Sequence, residues 1–261
     1  MKLFFGELKA NYEKYLFPYQ VWLLKEEGDS IEKIYDSGFL PIRNLPNVYY
    51  LSRNIRVDLS KFSISSENRR ILGKTSEFSC RFIPLGEFNY TPVVQKFCKD
   101  YMDNRFGKGA LSATGIKNIF QKGVYNKLFV WTDKTGAEIG FAVCFESEDI
   151  LQYAHSFYDV SLVEKSLGAR MILEAVIWAK DNGKKYIHLG TCYETRALYK
   201  TEFLGVEFFN GFTWSNNLKE LKFLIETPKD KSLLYNNEFL DEFYSPDLVG
   251  ILNNYGICVK F

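Results

Sequence analysis

The sequence predicts an α/β fold of the α+β kind, in which helices flank a mixed central sheet and a smaller amino-terminal lobe precedes it. Three observations predict it. Strand-like runs follow one another at residues 127–132, 138–145 and 149–158. The strongest helical stretch of the chain, 163–182, comes directly after them. A strand, a helix and a strand then succeed it at 185–190, 194–203 and 206–214. The order β-β-β-α-β-α-β calls for an antiparallel meander with a long helix laid across one face.

The 261 residues, 46% hydrophobic and 25% charged, suit one large domain or two intimate lobes with a full core. Residues 1–86 are expected to form the amino-terminal lobe, 87–215 the main domain and 216–261 a carboxy-terminal extension with an acidic stretch at 238–247. Aromatic residues make up 17% of the chain and supply both core and flat surfaces able to stack on a ligand. Net charge is +1, so any contact with nucleic acid must come from a local patch. The stretch from Arg53 to Lys74 is the candidate, because Arg53, Arg56, Lys61, Arg69, Arg70 and Lys74 there face only Asp58 and Glu67. Five scattered cysteines offer neither a disulfide framework nor a paired metal motif, so no metal is expected. Charges at Glu7, Lys9, Glu13 and Lys14 interrupt the first apolar stretch, which argues against a signal peptide or membrane span. A soluble, cytoplasmic protein with no membrane partner is expected.

Along the chain, residues 48–52 and 55–59 alternate apolar with polar residues, as half-buried strands do. Ser65 or Ser66 is placed to cap a short helix that turns Arg69 and Arg70 outward. A strand at 78–84 and a helix at 90–104 follow, the helix opened by Thr91-Pro92, where proline suits the first turn. A glycine-broken loop at 105–109 leads to a helix at 113–122. Asp133 to Gly136 has hairpin composition and joins the first two meander strands. The long helix is apolar on most faces, hence packed on more than one side, and Asn182-Gly183 closes it. The element order is that of the second half of a GNAT-like acyltransferase fold.

The chain contains no nucleophile-elbow serine, H-E-x-x-H, phosphate-binding loop or dinucleotide-binding glycine motif. Its two histidines, His155 and His188, lie inside predicted strands and read as structural. What remains is chemistry that needs few special side chains. Transfer of an activated acyl group to an amine qualifies, because the enzyme mainly positions the donor, moves a proton and stabilises an oxyanion. A coenzyme A-dependent member would carry R/Q-x-x-G-x-G/A at the start of the long helix. This chain has Lys165 to Arg170 there, with Arg170 in place of the last small residue.

Phe157-Tyr158-Asp159, Ser166-Leu167-Gly168, Tyr186 to Gly190 and Ala197 to Phe203 follow one another in the order and spacing of F-Y-D-P, S-L-G, Y-L-Y-L-G-Y and M-x-Y-K-x-x-F-x-P. Together they resemble the arginyl-tRNA-protein transferase family. Phe17-Pro18-Tyr19, Asp36 to Phe39 and Arg56 to Arg70 resemble the amino-terminal pattern of the same family, so the likeness spans about residues 15 to 215. Membership would imply an enzyme that takes an amino acid, arginine or a related one, from aminoacyl-tRNA. It would join that amino acid to the N-terminal amine of a protein or peptide, typically one exposing an acidic residue. The implied co-substrate is aminoacyl-tRNA, with no other cofactor. An acyl-CoA-dependent N-acyltransferase and a non-catalytic GNAT-like binding module are the alternatives. The chain departs from the pattern where Phe17 replaces the first cysteine of the family's metal-binding cluster, where Val160 replaces the proline, and where Thr191-Cys192 replaces Y-W.

Within this resemblance Asp159, Tyr158 and Glu194 are the candidates for proton handling and for hydrogen bonding to the ester carbonyl. Arg56, Arg69 and Arg70 are candidates for tRNA phosphates or an acidic acceptor, since guanidinium forks pair with both. Ser166, Leu167 and Gly168 would set helix amides near the donor, and Tyr199 with Lys200 would hold a terminal phosphate or the carboxylate side of the reaction. Each also has a plain structural use: helix face, turn cap, core tyrosine or surface lysine.

Overall fold

The computed structural model describes residues 1–7, 19–211, 213–226 and 242–243. Phe17 and Pro18, and the acidic stretch 238–247 except Glu242 and Phe243, lie outside them. The elements in chain order are β1 (Lys2–Glu7), β2 (Tyr19–Leu24), α1 (Ile31–Asp36), β3 (Phe39–Pro41), β4 (Val48–Leu51), β5 (Asn54–Asp58), α2 (Ser66–Lys74) and β6 (Ser79–Pro84). They continue with α3 (Pro92–Phe106), α4 (Ala113–Gln121), β7 (Lys127–Thr132), β8 (Glu138–Glu146), β9 (Ile150–Tyr158), α5 (Leu167–Asp181), β10 (Tyr186–Thr191), β11 (Val206–Phe209), β12 (Trp214–Ser215) and α6 (Leu218–Glu226). Among the described residues no helix is long and apolar enough to cross a membrane.

Two sheets organise the chain. A four-stranded sheet has the order β1-β2-β4-β3, and an eight-stranded mixed sheet the order β12-β11-β5-β10-β9-β8-β7-β6. The expected meander is present, with β8 antiparallel to both β7 and β9, while β9 and β10 are parallel. Helix α5 covers one face through Leu167, Met171, Ile172, Leu173, Ala175, Val176 and Ala179, and it also meets α2. Helices α3 and α4 cover the other face, where Val94, Cys98, Tyr101, Ile116 and Ile119 pack on Val130, Phe141, Val143 and Phe157. A third core, with Leu23, Ile34, Tyr35, Leu40 and Tyr49, joins the small sheet to Ile150. Three apolar layers of this size provide most of the drive to fold.

Local sequence explains the helix starts. Ser30, Ser65, Thr91 and Ser112 each accept a hydrogen bond from a first-turn amide, which satisfies donors the helix itself cannot. Ser65 and Asn68 close a full capping box. Gly38 is required by a close approach as well as by its φ of +82°, because a Cβ there would stand 2.3 Å from the Phe209 ring.

Four expectations are corrected. Strand β5 is buried along most of its length rather than alternating, because it lies between β10 and β11 in the large sheet. Both β5 and β6 fall within residues 1–86 yet hydrogen-bond into the sheet of the main domain. The strand expected over 206–214 is split by a turn in which the Asn210 side chain accepts from the Thr213 amide at 3.0 Å, and the helix expected over 194–203 is a 3-10 turn at Thr195–Thr201 without a side-chain cap.

Candidate active site

The parallel ladder between β9 and β10 is short. It runs from Tyr186 opposite Ile150 to His188 opposite Gln152, after which β9 continues to Tyr158 and β10 to Thr191 without pairing with each other. The separation has a local cause. Strand β10 bulges against β5 between His188 and Gly190, and Gly190 takes a φ of +81° that bends the backbone away. The diverging strands leave β9 backbone groups without a sheet partner on one side, so the opening has hydrogen-bonding capacity to offer a ligand.

Tyr158 stands at the far end of β9. Its ring lies 4.8 Å from that of Tyr101, and its phenol rests on the start of α5, where a Cβ on Gly168 would come within 3.0 Å of the hydroxyl oxygen. The S-L-G motif thus has a steric reason. Helix α5 begins unlike the helices before it: Ser166 is left-handed at φ +65° and gives no side-chain cap. Its hydroxyl instead accepts from Lys74 Nζ at 3.3 Å, and the same ammonium donates to the Glu164 carbonyl at 2.5 Å. Among the described residues no side-chain oxygen therefore satisfies the amides of Leu167 and Gly168, at the positive end of the helix dipole.

Across the opening Lys200 Nζ donates to the Thr191 carbonyl at 2.8 Å and lies 3.7 Å from where a Cβ on Gly190 would stand. Burial lowers its pKa to about 8, opposed by the neighbouring Cys192 thiol, so the amine exchanges protons near neutral pH. Burial in turn pushes the Cys192 thiol up, while Lys200 and Arg53 pull it down. Tyr199, 51% exposed, is raised by burial of its phenol and by Tyr158, and Arg105 lowers it. Tyr158, Leu167, Gly168, Tyr199 and Lys200 are thus gathered at one opening.

Other expected site residues lie elsewhere or are engaged. Asp159 caps the 3-10 turn Val160–Leu162, accepting from the Ser161 amide at 2.9 Å. Glu194 pairs with Arg196 at 2.5 Å. Arg56 is 6% exposed and does not join Arg69 and Arg70: it pairs with Asp36 at 2.7 Å and Glu207 at 2.8 Å, between the rings of Trp214 and Tyr186. Its charge is satisfied inside the fold, where losing one partner would be costly. Arg70 pairs with Glu67, whereas Arg69 donates to the Ile64 carbonyl and the Ser66 hydroxyl on the exposed face of α2.

Sequence reasoning missed Tyr101 and Lys74 as neighbours of the site. Tyr101 was detectable as an inward residue, since Val94, Cys98 and Tyr101 recur at helical spacing. Both histidines are structural and held neutral by burial: His188 Nδ1 meets the Asn54 amide at 2.8 Å, and His155, whose pKa falls to about 3, meets the Tyr125 hydroxyl at 3.0 Å. Among the described residues no group of three or more His, Cys, Asp or Glu is placed to hold a metal ion.

Comparison with known proteins points to the same segment. Residues 93–210 match the family described as arginine-tRNA-protein transferase, C terminus, which bears out the resemblance read from the motifs. The aspartate/glutamate leucyltransferase of Ruegeria pomeroyi is 25% identical over 166 residues, covering 61% of this chain and 60% of that protein. The aspartate/glutamate leucyltransferase of Pseudoalteromonas atlantica is 26% identical over 165 residues, covering 61% of this chain and 70% of that protein. Among solved structures, a glucosamine N-acetyltransferase region of a fungal multi-domain beta-N-acetylglucosaminidase aligns with a TM-score of 0.43 at 12% identity, over 78% of this chain and 24% of the other.

Proposed function

We propose that the chain is an aminoacyl-tRNA-dependent transferase that joins an amino acid to the N-terminal amine of a protein or peptide. One observation carries the reading: the matched segment supplies both sides of the opening, Tyr158 to Gly168 on one and Thr191 to Lys200 on the other. In the reaction the amine nitrogen attacks the ester carbonyl carbon of the donor and a C–N bond forms. The carbonyl electron pair moves to oxygen and returns as the bond to the terminal ribose oxygen breaks. The proton lost by the amine ends on that ribose oxygen. Uncapped amides at Leu167 and Gly168 hold the donor, the Tyr158 phenol lies across them, and Lys200 serves the proton transfer.

The amino acid transferred is apolar, leucine before arginine. The two relatives above are named leucyltransferases, and an arginine side chain would bring a third cation beside Arg105 and Lys200. Asp159, the carboxylate able to oppose it, already serves the adjacent turn. Incubation with leucyl-tRNA, arginyl-tRNA and peptides of varied N-terminus tests the reading. Label from leucyl-tRNA should reach peptides that begin with aspartate or glutamate, and absence of transfer from every donor and acceptor pair would refute it.

A further inference from the structure

Lys200 owes its place to one peptide group. Its Nζ donates to the Thr191 carbonyl at 2.8 Å, and the N–H of that same peptide group, on Cys192, donates to the Arg53 carbonyl at 2.9 Å. In a trans peptide C=O and N–H point in opposite directions. The Arg53 carbonyl therefore fixes the peptide plane from the β5 side and turns the Thr191 oxygen towards the lysine. Arg53 is held in its turn. Its backbone N–H donates to the Tyr193 hydroxyl at 2.9 Å, its guanidinium lies 5.3 Å from the centre of the Tyr193 ring, and its Nη1 donates to the Leu224 carbonyl of α6 at 3.3 Å.

The chain thus folds back on its own clamp. Tyr193 directly follows the held peptide, and the 3-10 turn Thr195–Thr201 that carries Lys200 has no side-chain cap and packs on α6. A short 3-10 turn is weak by itself, so the position of its lysine depends on what holds the segment at its two ends. We propose that Tyr193 is a positioning residue: through the Arg53 backbone its hydroxyl locks the Thr191–Cys192 peptide group, and that group holds the Lys200 amine in the opening. The inference rests on the transferase reading above for the use of Lys200 and names what sets that lysine. Arg53 and α6 both lie outside the matched segment, so the perch is completed from beyond it. Without the hydroxyl the Arg53 N–H loses its acceptor, the peptide is free to turn and the amine moves towards water. The titratable and charged groups around the amine are Cys192 after β10, Tyr199 on its own turn, Tyr158 on β9, Arg105 on α3, Arg53 before β5 and Glu220 on α6. Tyr193→Phe removes none of them.

That variant, which keeps the ring under the guanidinium, tests the clamp. The Lys200 midpoint should rise from about 8 by roughly one unit towards 10.5 as the amine regains water. Single-turnover transfer should then fall about tenfold at pH 7 but only about twofold at pH 9, with KM for the acceptor unchanged. Nuclear magnetic resonance of the protein carrying isotope-labelled lysine reads the midpoint directly, the Lys200 signal being the one that Lys200→Met lacks. A midpoint that rises upholds the clamp. One that stays near 8 overturns it, and a rate loss equal at both pH values would then mark Tyr193 as a plain structural residue. The two readings fail separately. A raised midpoint with unchanged transfer upholds the clamp and removes Lys200 from the proton transfer. If the wild type transfers nothing the transferase reading falls, and the midpoint alone decides the clamp.

Discussion

The two neighbourhoods along the half of β9 that does not pair with β10 handle charge in opposite ways. Beside Tyr158 the cation is internal: Lys200 is buried against the Thr191 carbonyl with a pKa lowered to about 8. Beside His155 the polar groups are neutral: burial lowers the imidazole pKa to about 3, and its Nε2 meets the Tyr125 hydroxyl at 3.0 Å. A buried amine near its own pKa is suited to moving protons, and an imidazole held neutral is suited to a fixed hydrogen bond.

The largest way to break the first neighbourhood is Lys200→Met. Single-turnover transfer should fall on the order of 100- to 1000-fold, with KM for the acceptor little changed. Stability should move the other way. The folded pKa of Lys200 is lowered, so between about pH 8 and its ordinary value of 10.5 the unfolded chain binds more protons and wild-type stability rises with pH. Urea unfolding at pH 7 and pH 10 should show that rise in the wild type and a smaller one in the variant, which gains stability at pH 7.

Gly168→Ala is next. In an ordinary helix the change would stabilise by about 1 kcal/mol, but here the new Cβ meets the Tyr158 phenol at 3.0 Å. Transfer should drop roughly tenfold as Tyr158 shifts, and thermal unfolding should show no stabilisation. A variant that is both more stable and fully active would dissolve the contact between motif and phenol.

The smallest effect sharpens the second neighbourhood. His155 stays neutral in the fold down to about pH 3, whereas the unfolded chain takes a proton below about 6.5. Stability is therefore lost as pH falls through that window, at no more than about 1.4 kcal/mol per pH unit from this residue. His155→Gln should flatten the acid limb measured by urea unfolding, leaving the part due to His188, which is lowered by the same burial.

Regular elements were legible where local chemistry settles them. The meander, the Thr91-Pro92 start of α3 and the Ser65 cap follow from spacing and capping, whereas the helix expected from 163 begins only at Leu167, after an uncapped, left-handed Ser166. What escaped depends on partners far along the chain. Arg56 looks like part of a basic patch until Asp36, Glu207, Tyr186 and Trp214 surround it, and Lys61 likewise pairs with Asp58 and Glu207. Ser65 and Ser166 are both serines before a helix, yet one caps it and the other turns left-handed towards Lys74.

The place of β5 bears on how the molecule is made. Val57 emerges early from the ribosome but pairs with Ile187 on one side and Val206 on the other, both near the far end of the matched segment. Closing those pairings requires a long loop, which slows folding and leaves an apolar strand waiting while the meander and α5 are synthesised. Assembly of the opening is therefore a late event, because the β10 bulge that splays the strands forms against β5 itself. A fragment beginning at residue 93 would carry the family's motifs and lack the strand on which their geometry depends.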